Sequence, residues 1–300
     1  MLSIVIPVYN EEKKIKENIS EICQYLEKYE YEMILVDDGS KDRTWQLVKE
    51  LHAANANIKG IRFSRNFGKE IALCAGVDFA VGDAVITMDS DLQHHPRYID
   101  DLVCEWRNGY KVVECIRKDR DKQSTSYKLF ADTFYNILKK LTKLDLANSL
   151  DYKIIDRQVI EDIKKMGENN VFFRGLVEWV GYEKKQVEIE VELRKGDTSK
   201  FSFKSLARLA ITAITSFSSS LLNLVLILSG VFMVGGLFLG VQTIFNKLFG
   251  HAVDGFTTVI ILLLITGSCI LFSLGIIGMY VAQIYNEVKA RPRYIISEEV

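Results

Sequence analysis

The chain holds 300 residues, 48% of them hydrophobic and 26% charged, with a formal net charge of −1. A balance this close to neutral argues against a nucleic-acid partner, for which a basic surplus is expected. The averages hide a division, because no Asp, Glu, Lys or Arg occurs from Leu209 to Asn246 or from Gly255 to Asn286.

Through the first half, apolar runs of strand length alternate with helix-like segments. Leu2–Tyr9 reads as a strand, Glu12–Tyr29 as a helix, Tyr31–Val36 as a strand and Asp42–Ala54 as a helix. Ile58–Phe63, Lys69–Ala80 and Ala84–Met88 continue the series as strand, helix and strand. Alternation of this kind predicts an α/β fold, a largely parallel sheet with helices on both faces. Ligands of such sheets bind beyond the carboxyl ends of the strands. Polar signatures fall at those ends: Tyr9-Asn10-Glu11, Asp37-Asp38-Gly39-Ser40, Ser64-Arg65-Asn66 and Asp89-Ser90-Asp91.

The last of these is the most telling. Two carboxylates one residue apart at a strand end gather negative charge that needs a cation, and oxygen ligands of this kind suit Mg²⁺ or Mn²⁺ shared with substrate phosphates. Taken alone, an Asp-x-Asp pair also fits a decorated loop; four polar strand ends on one edge favour a site. Asp37 and Asp38 can accept hydrogen bonds from a base or ribose, while Asp42 and Thr44 read as helix-capping residues. Arg65 offers a fork donor, either to a phosphate or to one of the acids. Neither a Gly-x-Gly-x-x-Gly nor a Walker loop follows any strand, so phosphates are expected on a metal and side chains.

Beyond about residue 110 the pattern is less regular: a helix over Lys122–Leu144, a loop at Asn148–Tyr152, a helix near Gln158–Met166 and an alternating Val187–Leu193. Arg194-Lys195-Gly196-Asp197-Thr198-Ser199-Lys200 reads either as a mobile basic loop that closes over a diphosphate or as a solvated stretch. Phe203–Phe217 sets Lys204 and Arg208 among apolar residues, as a helix lying in the membrane interface does. Two spans are expected near 221–245 and 257–282, each longer than the roughly 20 residues needed to cross the hydrocarbon. Basic residues flank the pair on both outer sides, which places the flanks and the first 200 residues in the cytosol. No signal peptide is expected at the start, since the first apolar run contains Pro7 and meets Glu11-Glu12-Lys13-Lys14. The five cysteines lack Cys-x-x-Cys spacing and read as packing residues. Gly236 and Gly240 form a Gly-x-x-x-Gly pair suited to docking spans of a homo-oligomer.

These motifs together resemble glycosyltransferase family 2, and within it the membrane-anchored polyprenyl-phosphate glycosyltransferases such as dolichol-phosphate mannose synthases and bactoprenol glucosyltransferases. The likeness runs essentially end to end. It rests on Ile6-Pro7-Val8-Tyr9-Asn10-Glu11, Asp37-Asp38-Gly39-Ser40, Ser64-Arg65-Asn66-Phe67-Gly68-Lys69-Glu70 and Asp89-Ser90-Asp91-Leu92-Gln93. Phe173-Arg174-Gly175, Trp179-Val180-Gly181, Ile214-Thr215-Ser216-Phe217-Ser218 and the tail Arg291-Pro292-Arg293-Tyr294-Ile295-Ile296 extend it.

The resemblance implies a GT-A, Rossmann-like domain at 1–200, an interfacial helix at 201–220, a two-helix transmembrane hairpin at 221–282 and a cytoplasmic tail at 283–300. It further implies that Pro7, Tyr9, Glu11, Asp38 and Ser90 line the nucleotide pocket, and that Asp89, Asp91 and Gln93 hold Mg²⁺ or Mn²⁺. Asp151 matches the acid of the family's Gly-Asp-Phe-Arg-Leu motif near the reacting centre, with Arg194 and Lys200 as the basic pair on the diphosphate. Three positions depart from the pattern: Leu150 replaces the motif's Gly, Lys153 its Arg, and His94-His95 stands where many relatives have Asp-Pro. The expected reaction is inverting transfer of a hexose from a nucleotide diphosphate sugar, UDP-glucose first, to polyprenyl (undecaprenyl) phosphate at the bilayer. Other donors, a processive polysaccharide synthase and an inert scaffold on the same fold are the competing readings. The synthase lacks support because Gln-x-x-Arg-Trp is missing, and two spans leave no internal repeat for a transporter.

Overall fold

A computed structural model of the protein describes residues 1–117, 136, 139–142, 149–168, 172–190, 218, 220–249 and 256–300. Two units result, Met1–Phe203 with Arg291–Val300, and Lys204–Ala290.

The apolar run Leu2–Val8 forms β1, a strand at the middle of an eight-stranded sheet ordered β7-β5-β6-β4-β1-β2-β3-β8. Burial on both faces explains why it reads as continuous rather than alternating. β2 (Tyr31–Asp37) and β4 (Ala84–Thr87) flank it in parallel, and β3 (Ile58–Phe63) extends the parallel half beyond β2. The register pairs Val8 with Asp37 and Val5 with Thr87, so the polar sequences after these strands emerge on one edge.

Helices α1 (Ile15–Leu26) and α2 (Thr44–Ala54) contribute Ile15, Ile19, Ile22, Leu26, Trp45 and Val48 to the core on one face, against Ile4, Ile6, Met33, Leu35 and Ile86. The other face carries α3 (Lys69–Phe79), which packs on β1 and β2. Its approach depends on Gly76: a Cβ there would sit 2.2 Å from Val5 Cγ1, so any larger residue would push the helix off the sheet.

The second half of the sheet is built differently. After α4 (Ile99–Arg107) come β5 (Val112–Arg117) and then β6 (Ser149–Asp156), which runs antiparallel to both β4 and β5. Of the loop expected at Asn148–Tyr152, the described residues Ser149–Tyr152 are instead part of β6. Its alternation is real, but Asp151 and Lys153, the positions on one face, are charged and buried at 2% and 1% exposure, so the stretch mimics loop composition. α5 (Arg157–Lys164), α6 (Phe173–Trp179) and β7 (Lys184–Ile189) complete this half, with β7 parallel to β5.

The tail returns to this unit. Residues Ile296–Glu299 form β8, antiparallel to β3, while Tyr294 stacks on Phe63 at 5.2 Å between ring centroids. In the second unit, α7 (Ser220–Leu248) and α8 (Phe256–Val288) pack against each other. Leu222–Asn246 and Val259–Val288 within them are long and apolar enough to cross a membrane, with mean hydropathies of 2.5 and 2.7. Of the helix expected over Lys122–Leu144, residues 136 and 139–142 are described and are helical. The interfacial segment at 201–220 lies outside the described residues apart from Ser218 and Ser220.

Candidate active site

Three loops at the carboxyl edge lock together and define the cleft. Asn10, in the left-handed region at φ 54°, donates its amide to Ser40 Oγ (2.9 Å) and accepts from the Lys41 amide through Oδ1 (2.9 Å). The Glu11 amide donates to Thr44 Oγ1 (2.8 Å), and the Thr44 amide donates to Asp42 Oδ1 (3.0 Å). Asp42 therefore serves the start of α2 as expected, although the formal N-cap is Arg43.

Gly39 is the hinge of this arrangement. It sits at φ 69°, and a Cβ on it would lie 2.5 Å from the Arg65 carbonyl carbon. That proximity lets Asp38 accept from the amides of Phe67 (2.6 Å) and Gly68 (2.9 Å). Burial pushes the Asp38 carboxyl up, and the two amides oppose that shift. The Arg65 guanidinium lies over the Phe67 ring, 4.4 Å from the centroid.

The cleft encloses about 380 Å³ and is lined by Pro7, Val8, Tyr9, Glu11, Asp38, Asn66, Gly68, Lys69, Asp89, Ser90 and Asp91. Seven of the residues picked from sequence, Pro7, Tyr9, Glu11, Asp38, Asp89, Ser90 and Asp91, thus share one cavity. Gln93 is not among the lining residues; its backbone amide donates to Asp91 Oδ1 at 3.1 Å. The Asp89–Asp91 loop is held from behind by Asn18, whose Nδ2 donates to the Ser90 carbonyl at 2.7 Å. Arg194 and Lys200 lie outside the described residues.

Beside the cleft lies a charge network, centred on the buried Asp151, that connects the two halves of the sheet. Asp151, on β6, receives a two-pronged interaction from Arg174 of α6, with Nη2 at 2.7 Å from Oδ2. Lys69, the first residue of α3, reaches Asp151 Oδ2 at 2.6 Å and Asp89 Oδ1 at 2.5 Å. Burial would raise the Asp151 carboxyl, but the Arg174 guanidinium and the Lys69 ammonium outweigh it and hold the group well below the usual carboxylate range. Lys69 itself is lifted above the usual ammonium range, because Asp89 and Asp151 overcome the opposing effect of burial. Next to them, burial and the Asp151 charge push Glu70 up, and its Oε2 accepts from the Phe173 amide at 2.7 Å.

The departures from the family pattern also find places. Lys153 shares the Asp151 face of β6 and lies opposite Glu114 of β5, its Nζ 3.9 Å from Oε2. Together with Arg174 and Lys184 these two line a second cavity of about 220 Å³. His95 turns away: its Nδ1 accepts from the Arg97 amide at 3.1 Å and its ring meets Tyr25 edge-on at 5.5 Å. His94 is 7% exposed and stacked on Tyr152, and its Nδ1 has no hydrogen-bond partner among the described residues.

Lys69 and Arg174 were not singled out as site residues by sequence, although both stand in the quoted motifs. A lysine opening a helix and an arginine in a short one read as surface charges. The available signal was the surplus of acids at the strand ends, which calls for cations from elsewhere in the fold.

Among the described residues, no three His, Cys, Asp or Glu side chains are grouped so as to hold a metal. Two carboxylates on one cleft still fit a hard cation such as Mg²⁺, which takes one or two protein carboxylates and completes its shell with phosphate oxygens and water.

Comparison with known proteins agrees with this geometry. A family model described as Glycosyl transferase family 2 matches residues 3–164. An uncharacterized glycosyltransferase of Synechocystis is 38% identical over 304 residues, 99% of this chain and 95% of the relative. A bactoprenol glucosyl transferase of Shigella phage SfV is 36% identical over 303 residues, 99% of this chain and 98% of the relative. Glucosyl-3-phosphoglycerate synthase from Mycobacterium tuberculosis, solved with Mn²⁺, UDP and phosphoglyceric acid, has a TM-score of 0.53 at 20% identity over 72% of this chain and 78% of its own. That structural likeness bears on the fold, which is GT-A. The match over β1 to β6, joined to near full-length relatives above a third identity, establishes that the chain belongs to glycosyl transferase family 2.

Proposed function

We propose that this glycosyltransferase moves a hexose from a nucleotide diphosphate sugar, UDP-glucose first among the candidates, to a polyprenyl phosphate at a membrane surface, with inversion at the anomeric carbon. The observation that carries the reading is the single cleft at the strand ends, shared by the nucleotide-side residues and the Asp89–Asp91 pair and adjoined by the Asp151 network. Relatives named as bactoprenol glucosyl transferases support the acceptor, and two helices of membrane-crossing length and hydropathy support the setting. In this reading residues 1–200 work in the cytosol, 201–220 lie in the interface and 221–282 anchor the chain.

The residues have separable tasks. Pro7, Tyr9, Glu11 and Asp38 form the walls for the nucleoside. Asp89 and Asp91 would hold Mg²⁺ or Mn²⁺, which when bound neutralises the diphosphate as a Lewis acid. The described lining suits such an ion: Glu11, Asp38, Asp89 and Asp91 share the cleft with the Lys69 ammonium. Arg194 and Lys200 would supply further positive charge to the leaving diphosphate.

The acceptor needs little activation. A phosphate monoester with a second pKa of about 6 is largely dianionic near neutrality. One of its oxygens attacks the anomeric carbon, forming a new C–O bond, while the bond to the diphosphate breaks and its electron pair leaves with the nucleotide. Asp151, ionised and saturated by Arg174 and Lys69, orients these cations and has no need to take a proton.

The test is incubation of purified protein with Mn²⁺, polyprenyl phosphate and a panel of nucleotide sugars, followed by mass analysis of the lipid. Appearance of a hexosyl-phospholipid with one donor, abolished by chelator, is the expected result. Failure of every donor to yield glycolipid would overturn the proposal.

A further inference from the structure

The two cationic side chains on Asp151 are not equivalent. Arg174 grips Asp151 with both prongs, whereas Lys69 divides its ammonium between Asp151 and Asp89. Asp151 is 2% exposed and would keep a counter-ion in Arg174 if Lys69 moved. Asp89 is different: its side chain is 24% exposed on the cleft, and among the described residues its ion pair is with Lys69.

The same carboxylate is the one expected to take the divalent ion. An ammonium at 2.5 Å from Asp89 Oδ1 occupies the space beside the oxygen that a metal would approach, and two cations on one carboxylate repel each other. A lysine suits such an exchange, being a compact point charge on a flexible stem. Without it, Asp89 would lose its ion-pair partner among the described residues, and Asp151 would rest on Arg174.

We propose that Lys69 is a stand-in cation: it neutralises Asp89 before metal arrives, competes with the divalent ion for that carboxylate, and retires to Asp151 when the ion binds. This rests on the metal-dependent reading of the Asp89–Asp91 pair above. Its consequence is that the unloaded site is held together at the expense of affinity for free metal. The donor diphosphate, by contributing oxygens to the ion, is then what tips the exchange, so metal and nucleotide sugar load cooperatively.

The test is Mn²⁺ titration of the full-length protein in detergent, read by the electron paramagnetic resonance of free Mn²⁺, with no nucleotide present. Lys69→Met keeps the aliphatic stem and removes the charge; its Mn²⁺ affinity is expected to rise at least about tenfold, and an unchanged or weaker affinity overturns the proposal. Lys69→Arg retains the charge and is expected to show no such gain; a gain equal to that of Lys69→Met overturns it as well. If wild-type protein binds no Mn²⁺ with or without UDP, both this proposal and the metal-dependent reading fall. If it binds Mn²⁺ and the variants show no gain, this proposal alone falls.

Discussion

Asp151→Asn isolates the charge network while keeping side-chain volume. An amide presents one oxygen and one NH₂, so it can accept from Arg174 or from Lys69 but must turn a donor toward the other. Breaking a fully buried ion pair costs about 3–5 kcal/mol. Here Asp151 is buried, but the Lys69 and Arg174 side chains are 40% and 31% exposed, so solvent recovers part of the loss. We expect about 2–3 kcal/mol of destabilisation, which for a unit of this size lowers Tm by roughly 4–12 °C. Lys69 and Arg174 also lose their shared anchor, and misplacement of the cleft's cation by about 1 Å is expected to lower turnover about 100-fold. Scanning fluorimetry at a matched heating rate and single-turnover glycolipid synthesis read the two quantities. Wild-type Tm together with wild-type turnover would refute the claim that this network positions the site.

Further outcomes follow from other parts of the fold. Gly39→Ala forces a residue at φ 69° to carry a Cβ 2.5 Å from the Arg65 backbone; loss of about 1–2 kcal/mol and a donor KM raised about tenfold are expected, and steady-state kinetics with an unmoved KM would count against the interlocked loops. Glu298→Ala removes a carboxylate that pairs with Lys49 at 2.5 Å and with Arg62 at 3.0 Å, while Arg62 stands 3.4 Å from Asp37 beside the cleft. Since Lys49, Glu298 and Arg62 keep 39%, 39% and 30% exposure, Tm is expected to fall only slightly while donor KM rises about threefold; a fall in kcat alone would contradict a role in nucleotide positioning. The Asp151 carboxyl is held below its unfolded value, so its ionised state persists at and above the ordinary carboxylate range and is lost only as pH falls through the depressed value. The acid limb of kcat/KM should therefore fall near pH 6, from the acceptor phosphate, and persist in Asp151→Asn; a limb near pH 4 that this substitution abolishes would mark Asp151 as a base instead.

The parallel half of the sheet was legible because its chemistry is local. Each strand is a short apolar run, and each polar signature follows at once, so the cleft residues from Pro7 to Asp91 could be gathered by rule from the strand ends. The antiparallel half was opaque for the opposite reason. Asp151 and Lys153 look like loop residues until Arg174 and Glu114 are seen to pair with them across the fold, and those partners are 23 and 39 positions away. The return of the tail as β8 was likewise hidden, since Ile296–Glu299 alternates only weakly and pairs with a strand more than 200 residues earlier.

That division explains where the departures from the family pattern can be absorbed. The strand-end cleft is built from backbone amides and tightly turned loops, in which Asn10, Gly39 and Gly68 have positive φ and Asp38 spends both oxygens on main-chain donors, so it tolerates little change. Around Asp151 the side chains are held largely by ion pairs. There a lysine replaces an arginine at 153 and retains Glu114 as its counter-ion, while burial pushes its own pKa down. A side-chain linkage between the two sides passes through Lys69 from Asp151 to Asp89, and a charge change on one side reaches the other through this lysine.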